Sequence, residues 1–269
     1  MSRLAKPPRV LVRAAARAIV DYDMLRDGDR VLVGVSGGKD SLSLLHVLLH
    51  LKSYAPVKFE LAALTIDPEV DGFDPSRLEA HYDELGVRWH YAREPILEDA
   101  KTRLDGDSFC AYCSRMKRGI MYTTCRREGY GVLALGHHLD DLAETFLMSA
   151  FHSGRLDTMR AHYQNKAGDL RIIRPFIYVR EAETRAFAAE AGLPVVMDSC
   201  PACFRAPTER AHMKELLARE AESHPHVHAN LLRAMRPLMG ARLHVSARSR
   251  ALPPGLGKSS VAPTELPSE

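Results

Sequence analysis

Apolar residues recur at helical spacing over residues 9–25 and stop at the polar turn Arg26-Asp27-Gly28-Asp29, which predicts a helix closed by a turn. A short apolar run over 30–35 then predicts a buried strand, and leucine-rich spacing over 39–53 a helix. Phe59–Ile66 reads as a second strand closed by Asp67-Pro68, Pro75–Leu85 as a helix stopped by Gly86, and Val87–Tyr91 as a third strand. Residues 93–109 are polar and irregular, after which Arg115–Glu128 fits a helix ended by Gly129 and Gly131. Val132–Leu135 predicts a fourth strand, followed by a helix from about Leu139. The polar, basic segment 153–171 looks like a loop or insertion before Ile172–Pro175 returns to the sheet. A helix is expected over Glu181–Ala191, a short strand at Val195–Val196, and further helices over 208–221 and 225–239. The tail from Ser246, rich in Ser, Pro and Gly, is expected to be disordered.

Strands that alternate with helices make a parallel sheet with helical crossovers the economical architecture, so the expected class is α/β with flanking helices. The expected division is a helical segment over 1–27, a main domain over 28–222, a helical segment over 223–245 and the tail 246–269.

Composition narrows this little. The 269 residues suffice for a substantial core, and there is no run of 18 apolar residues to span a membrane. The basic N-terminus lacks the contiguous apolar segment of a secretory signal, so the expectation is cytoplasmic. A net charge of +3 does not by itself argue for nucleic acid, but Arg115, Lys117, Arg118, Arg126 and Arg127 fall close together. Such a run can meet a phosphate backbone or simply be a solvated helix face.

Gly-Val-Ser-Gly-Gly-Lys-Asp-Ser at 34–41 lies between the first strand and its helix, where backbone N–H groups of Ser36, Gly37 and Gly38 can converge on an anion. Ser36 and Ser41 add hydroxyls, Lys39 a charge, and Asp40 a carboxylate for a metal or water. The spacing differs from a Walker loop, which needs four residues between its first Gly and the Gly-Lys pair. The loop resembles that of the ATP-pyrophosphatase superfamily.

Thr65–Asp67 ends the second strand on the same sheet edge, so its backbone is a candidate for holding adenine or ribose; Asp67 can equally be a turn residue. Gly136-His137-His138-Leu139-Asp140-Asp141 also joins a strand to a helix. Capping alone explains one aspartate there. With Glu144 one turn on, Asp141 could bind Mg²⁺ directly or through water, and His137 or His138 could touch a polyphosphate.

Five cysteines stand at 110, 113, 125, 200 and 203, four of them as two Cys-x-x-Cys pairs. Cys110 and Cys113 are expected just before the arginine-rich helix, and Cys200 and Cys203 after a strand. The residues allow a closed Cys₄ zinc site, an iron–sulfur cluster on three thiolates, or a persulfide regenerated through a disulfide. Cys125 lacks partner spacing and is expected to pack in the core.

The order of motifs adds a further resemblance. After the loop at 36–41 come Cys-Ala-Tyr-Cys-Ser-Arg-Met-Lys-Arg-Gly-Ile at 110–120, Ala-Leu-Gly-His-His-Leu-Asp-Asp at 134–141, Ile-Arg-Pro-Phe-Ile-Tyr at 173–178 and Cys-Pro-Ala-Cys at 200–203. In this order, over roughly residues 9–245, the chain resembles the tRNA 2-thiocytidine synthetase family. The resemblance implies an adenine nucleotide α-hydrolase-like (ATP-pyrophosphatase) catalytic domain over 28–222, a homodimer, ATP and Mg²⁺, and a [4Fe-4S] cluster on Cys110, Cys113 and Cys200. It implies thiolation of an anticodon-loop cytidine in tRNA. Adenylylation of its 2-oxo group is the expected route, with Lys39, Asp40 and Asp141 as candidate catalytic residues and a cysteine desulfurase or inorganic sulfide as candidate sulfur donor. Arg115, Lys117, Arg118, Arg155, Arg171 and Arg174 are the candidate tRNA contacts. A persulfide-type thiolase, another ATP-pyrophosphatase such as a lysidine synthetase, and a zinc-braced RNA-binding module are the rivals. After Cys203 the chain has Phe204 where the family commonly has Gly.

Overall fold

The computed structural model describes residues 5–70, 73–96, 98–99, 109–196 and 208–240. The expectations for Cys200, Cys203 and the tail from Ser246 lie outside the described residues.

Among the described residues six strands form one sheet in the order β3-β2-β1-β4-β6-β5. They are β1 (Asp29–Gly34), β2 (Phe59–Asp67), β3 (Arg88–Arg93), β4 (Val132–Ala134), β5 (His162–Gln164) and β6 (Arg171–Ile173). The helices are α1 (Arg9–Asp21), α2 (Lys39–Lys52), α3 (Ser76–Leu85), α4 (Phe109–Glu128), α5 (Leu139–Ser153), α6 (Glu181–Glu190), α7 (Glu209–Ser223) and α8 (Val227–Met235).

Both faces are covered at the centre of the sheet, which is why β1, β2 and β4 carry mainly apolar residues. Alternation sends Val31, Val33, Ala63, Val132 and Ile173 into one core with α1, α2 and α5. Leu32, Ala62, Leu64, Leu133 and Ile172 face the other way, against Ile120, Met121 and Cys125 of α4. Cys125 is fully buried, as expected, and burial pushes its thiol up to about 12.

The sheet is mostly parallel. β1 pairs in parallel with β2 on one side and β4 on the other, so connections leave β1 in opposite directions. That arrangement opens a crevice at the carboxyl ends of β1 and β4.

Three expectations need correction. The loop expected over 153–171 contains β5, which pairs antiparallel to β6. At this edge one face of the strand stays partly open, so its residues carry no continuous apolar signal. Val195–Val196 is not a strand; it is an irregular segment tied to the phosphate loop by Val196 N–H donating to Gly37 O at 3.0 Å. Finally, α4 begins at Phe109, so Cys110 and Cys113 lie on the helix rather than before it. Its first residues follow the polar, irregular stretch 93–108, which leaves no sequence signal for a helix start before Arg115.

Candidate functional site

The phosphate loop is folded by its own hydroxyls. Ser41 Oγ accepts from Ser36 N–H at 3.2 Å and donates to Gly38 O at 2.9 Å, while Gly38 N–H donates to Ser36 Oγ at 3.3 Å. Gly37 has φ +86°, a conformation an L side chain rarely adopts, and a Cβ there would also stand 3.1 Å from Val196 Cβ. The loop thereby turns the unpaired first-turn amides of α2 toward the crevice.

Across the crevice, His138 caps α5. Its Nδ1 accepts from Asp141 N–H at 3.3 Å, and Asp141 Oδ2 accepts from His138 N–H at 2.9 Å. The Asp141 carboxylate therefore has a structural task, yet its other oxygen lies 3.3 Å from Arg210 Nη1. Asp140 is a strut: Arg180 grips it with two nitrogens and Glu181 N–H donates to it at 2.8 Å. Burial acts to raise the Asp140 pKa, but Arg180 and that amide outweigh it and hold it below the usual carboxylate range.

Asp40, His138, Asp141, Glu144, Glu181, Thr208, Arg210 and Lys214 line one open cleft of about 300 Å³. Asp40 accepts from Thr184 Oγ1 at 2.5 Å and lies 3.0 Å from Lys39 Nζ; His138 Nε2 is 3.7 Å away. Lys39 Nζ also lies 2.9 Å from Glu181 Oε1. Burial acts to lower the Lys39 pKa, but Glu181 and Asp40 outweigh it and keep the ammonium firmly charged. Burial, then Asp141, pushes Glu144 up to about 7. Among the described residues no group of three or more His, Cys, Asp or Glu side chains is arranged as a preformed metal site. Two carboxylates suffice for Mg²⁺ that retains water and phosphate oxygens.

His137 and His138 diverge. His138 faces Asp40, whereas His137 Nδ1 accepts from Arg174 Nε at 3.3 Å. Burial first, and then Arg174, lowers His137 to about 3, so it is neutral. Because guanidinium only donates, the ring proton sits on Nε2.

The expected base or ribose site is partly committed. Thr65 Oγ1 bonds Tyr82 OH at 2.8 Å, and Asp67 accepts from Tyr91 OH at 2.5 Å and from Glu69 N–H at 2.8 Å. The backbone there is partly committed too: Asp67 O accepts from Glu94 N–H at 3.0 Å and Leu64 O from Val35 N–H at 2.8 Å.

α4 starts at this same edge, because it returns the chain from the carboxyl end of β3 to the amino end of β4. Met121 Sδ lies 3.0 Å from the Cβ position of Gly34, and Cys113 lies about 12 Å further along the axis toward the edge. Cys113 is half-buried against Tyr112 and Met116 of the second core.

Among the candidate tRNA contacts, Arg115, Arg118 and Arg155 are exposed and Lys117 is half-buried. Two others are placed elsewhere. Arg171 pairs with Asp29 at the amino ends of β6 and β1, the opposite side of the sheet. Arg174 is 5% exposed, donates to Arg160 O at 2.6 Å and lies over the Tyr163 ring. Both arginines hold the fold. Sequence reasoning passed over Glu181, Arg210 and Lys214; the signal was a cation pair at i, i+4 just inside the Thr208 cap of α7.

An α/β sheet with a glycine-rich anion loop at its β1/β4 switch point defines a PP-loop nucleotide-binding domain, and the PP-loop domain model matches residues 11–219. The fold is consistent with binding ATP and Mg²⁺. The chain is 42% identical over 228 residues to a tRNA-cytidine(32) 2-sulfurtransferase of Geobacter metallireducens, covering 84% of this chain and 89% of the relative. It is 43% identical over 223 residues to that of Geobacter sulfurreducens, covering 82% and 87%. The chain belongs to the tRNA 2-thiocytidine synthetase family of the PP-loop superfamily. The U34-tRNA thiolase NcsA from Methanococcus maripaludis with its [4Fe-4S] cluster shares the fold, with a TM-score of 0.69 and 21% identity over 86% of this chain and 78% of that one. Among the described residues no helix is long and apolar enough to cross a membrane.

Proposed function

We propose that the chain is an ATP-dependent tRNA-cytidine(32) 2-sulfurtransferase, adenylylating the 2-oxo group of a cytidine in the anticodon loop and exchanging that oxygen for sulfur. The observation that carries this reading is a shared edge. The phosphate loop, the Gly136–His138 turn and the first turns of α4, with Cys110 and Cys113, all lie at the carboxyl ends of the strands.

Oxygen bonded to carbon leaves poorly; as part of AMP it leaves readily. The base oxygen attacks the α-phosphorus while Ser36, Gly37, Gly38, Lys39 and Ser41 stabilise the charge that develops on pyrophosphate. Asp40 and Asp141 are the candidate Mg²⁺ ligands, directly or through water. His137, held neutral by burial and by Arg174, is a candidate polyphosphate contact.

Cys110 and Cys113 stand one turn apart on α4, a soft-donor pair whose spacing suits one metal centre. With Cys200 they would hold a [4Fe-4S] cluster, which when bound supplies the sulfur nucleophile. Arg115, Lys117, Arg118 and Arg155 would position the tRNA backbone, and a loop nucleotide can be presented unstacked. A homodimer in the cytoplasm, supplied by a cysteine desulfurase or inorganic sulfide, completes the proposal. The test is anaerobic incubation with tRNA, ATP, Mg²⁺ and sulfide, followed by nucleoside mass spectrometry. The expected product is 2-thiocytidine at position 32 with AMP released; a thiolated uridine, or no tRNA-dependent AMP, contradicts the assignment.

A further inference from the structure

A second ammonium group reaches the cleft from far along the chain. Lys214 Nζ on α7 lies 2.6 Å from Glu181 Oε2, while Lys39 Nζ lies 2.9 Å from Glu181 Oε1. One carboxylate, its side chain 12% exposed, thus joins the phosphate-loop lysine to a lysine of a distant helix. Arg185 approaches the same carboxylate at 3.0 Å from the solvent side. Arg210, one turn before Lys214, enters the cleft beside Asp141 and Glu144.

Two ammonium groups brought together repel each other unless an anion lies between them. Glu181 fills that role here, and burial, which acts to raise its pKa, is outweighed by Lys214 and Lys39, leaving it at about 2. A phosphoryl group presents a similar pair of oxygens with greater charge. A polyphosphate seated on the first turn of α2 would lie against this carboxylate and be repelled by it. The two anions therefore compete for the same two lysines.

We propose that Lys214 is a phosphate ligand of the nucleotide site, and that Glu181 is a resident stand-in that holds Lys214 and Lys39 until polyphosphate displaces it. The proposal deepens the reading of the cleft as an ATP site and rests on it for the nature of the anion. Bound nucleotide then takes over from Glu181 in holding α7 through its lysine, which couples this helix to occupancy of the phosphate loop.

The test titrates inorganic pyrophosphate into the full-length protein by calorimetry, without tRNA, first in EDTA and then with Mg²⁺. Lys214→Ala and Lys214→Met are expected to weaken pyrophosphate binding by about tenfold or more, with Lys214→Arg retaining most of it. Glu181→Gln is expected to tighten binding several-fold in EDTA. Thermal melting of each variant confirms that it is folded. Unchanged affinity in Lys214→Ala overturns the proposal, as does weaker binding by folded Glu181→Gln, which would mark Glu181 as a plain strut or a metal ligand. Wild-type protein that binds no pyrophosphate overturns both this proposal and the ATP reading. Normal pyrophosphate binding with no tRNA-dependent AMP removes the thiolase reading alone.

Discussion

The Cβ position of Gly136 lies 3.0 Å from the backbone nitrogen of Ser41 and 3.1 Å from its Cα. The turn after β4 is thus seated directly on the first turn of α2, which fixes the spacing between the two walls of the crevice. The contacts are to backbone, so a methyl group can be accommodated only by moving the helix start. Gly136→Ala should lower stability by about 1–3 kcal/mol and weaken ATP binding by about tenfold or more. Denaturant midpoints and nucleotide titration check this; wild-type ATP affinity in the variant would show that the crevice tolerates the shift.

The nucleotide loop meets α2 on one face of the sheet, whereas α4 packs on the other. Chemistry at the thiols should therefore separate from nucleotide binding. Cys110→Ser or Cys113→Ser is expected to lose anaerobically bound iron and 2-thiocytidine formation while keeping ATP affinity within about twofold of wild type. Iron and acid-labile sulfide analysis beside ATP titration decides it. Full iron retention in both variants would exclude the pair as ligands.

Arginines on this fold divide by what they touch. Arg118 is exposed on α4, whereas Arg171 pairs with Asp29 at the opposite sheet edge. Arg118→Ala should weaken tRNA binding and reduce the slope of log affinity against log salt by about one. Arg171→Ala should leave that slope unchanged and lower the unfolding midpoint instead, because it abandons a part-buried Asp29. Filter binding over a salt series and urea unfolding separate the two cases.

A buried histidine pair makes stability depend on pH away from the active cleft. His46 of α2 and His81 of α3 bond through their Nε2 atoms at 2.9 Å, with His46 only 1% exposed. Burial, then His81, lowers His46 to about 4. The unfolded chain therefore takes up a proton below its ordinary value of 6.5 that the folded chain refuses until about pH 4. Stability should be full above pH 6.5 and fall by about 1–3 kcal/mol as pH drops through that window. His46→Leu should flatten this dependence. An equally steep decline in the variant, measured by urea unfolding at pH 7.5 and 5, would assign it to other groups.

Much of this architecture is readable in the chain because β1, β2 and β4 are covered on both faces over their central residues, which are mainly apolar. The phosphate loop was equally legible, since its glycines, hydroxyls and lysine are contiguous. What escaped was set by contacts between distant segments. β5 is a short edge strand defined by its pairing with β6, and Tyr163 packs inward while Gln164 stays exposed. Arg174 looks like a surface cation in sequence, and only the neighbouring Tyr163 ring and His137 reveal it as buried. The Lys39–Glu181–Lys214 bridge joins three helices that no local pattern connects.

Activation by the nucleotide of the oxygen which sulfur replaces leaves an isotopic trace. It is tested most directly with tRNA carrying ¹⁸O at the 2-oxo position of cytidine 32, incubated anaerobically with ATP, Mg²⁺ and sulfide. The label is expected in the phosphate of AMP, in step with 2-thiocytidine formation. Label released into water or found in pyrophosphate, with AMP unlabelled, would contradict it.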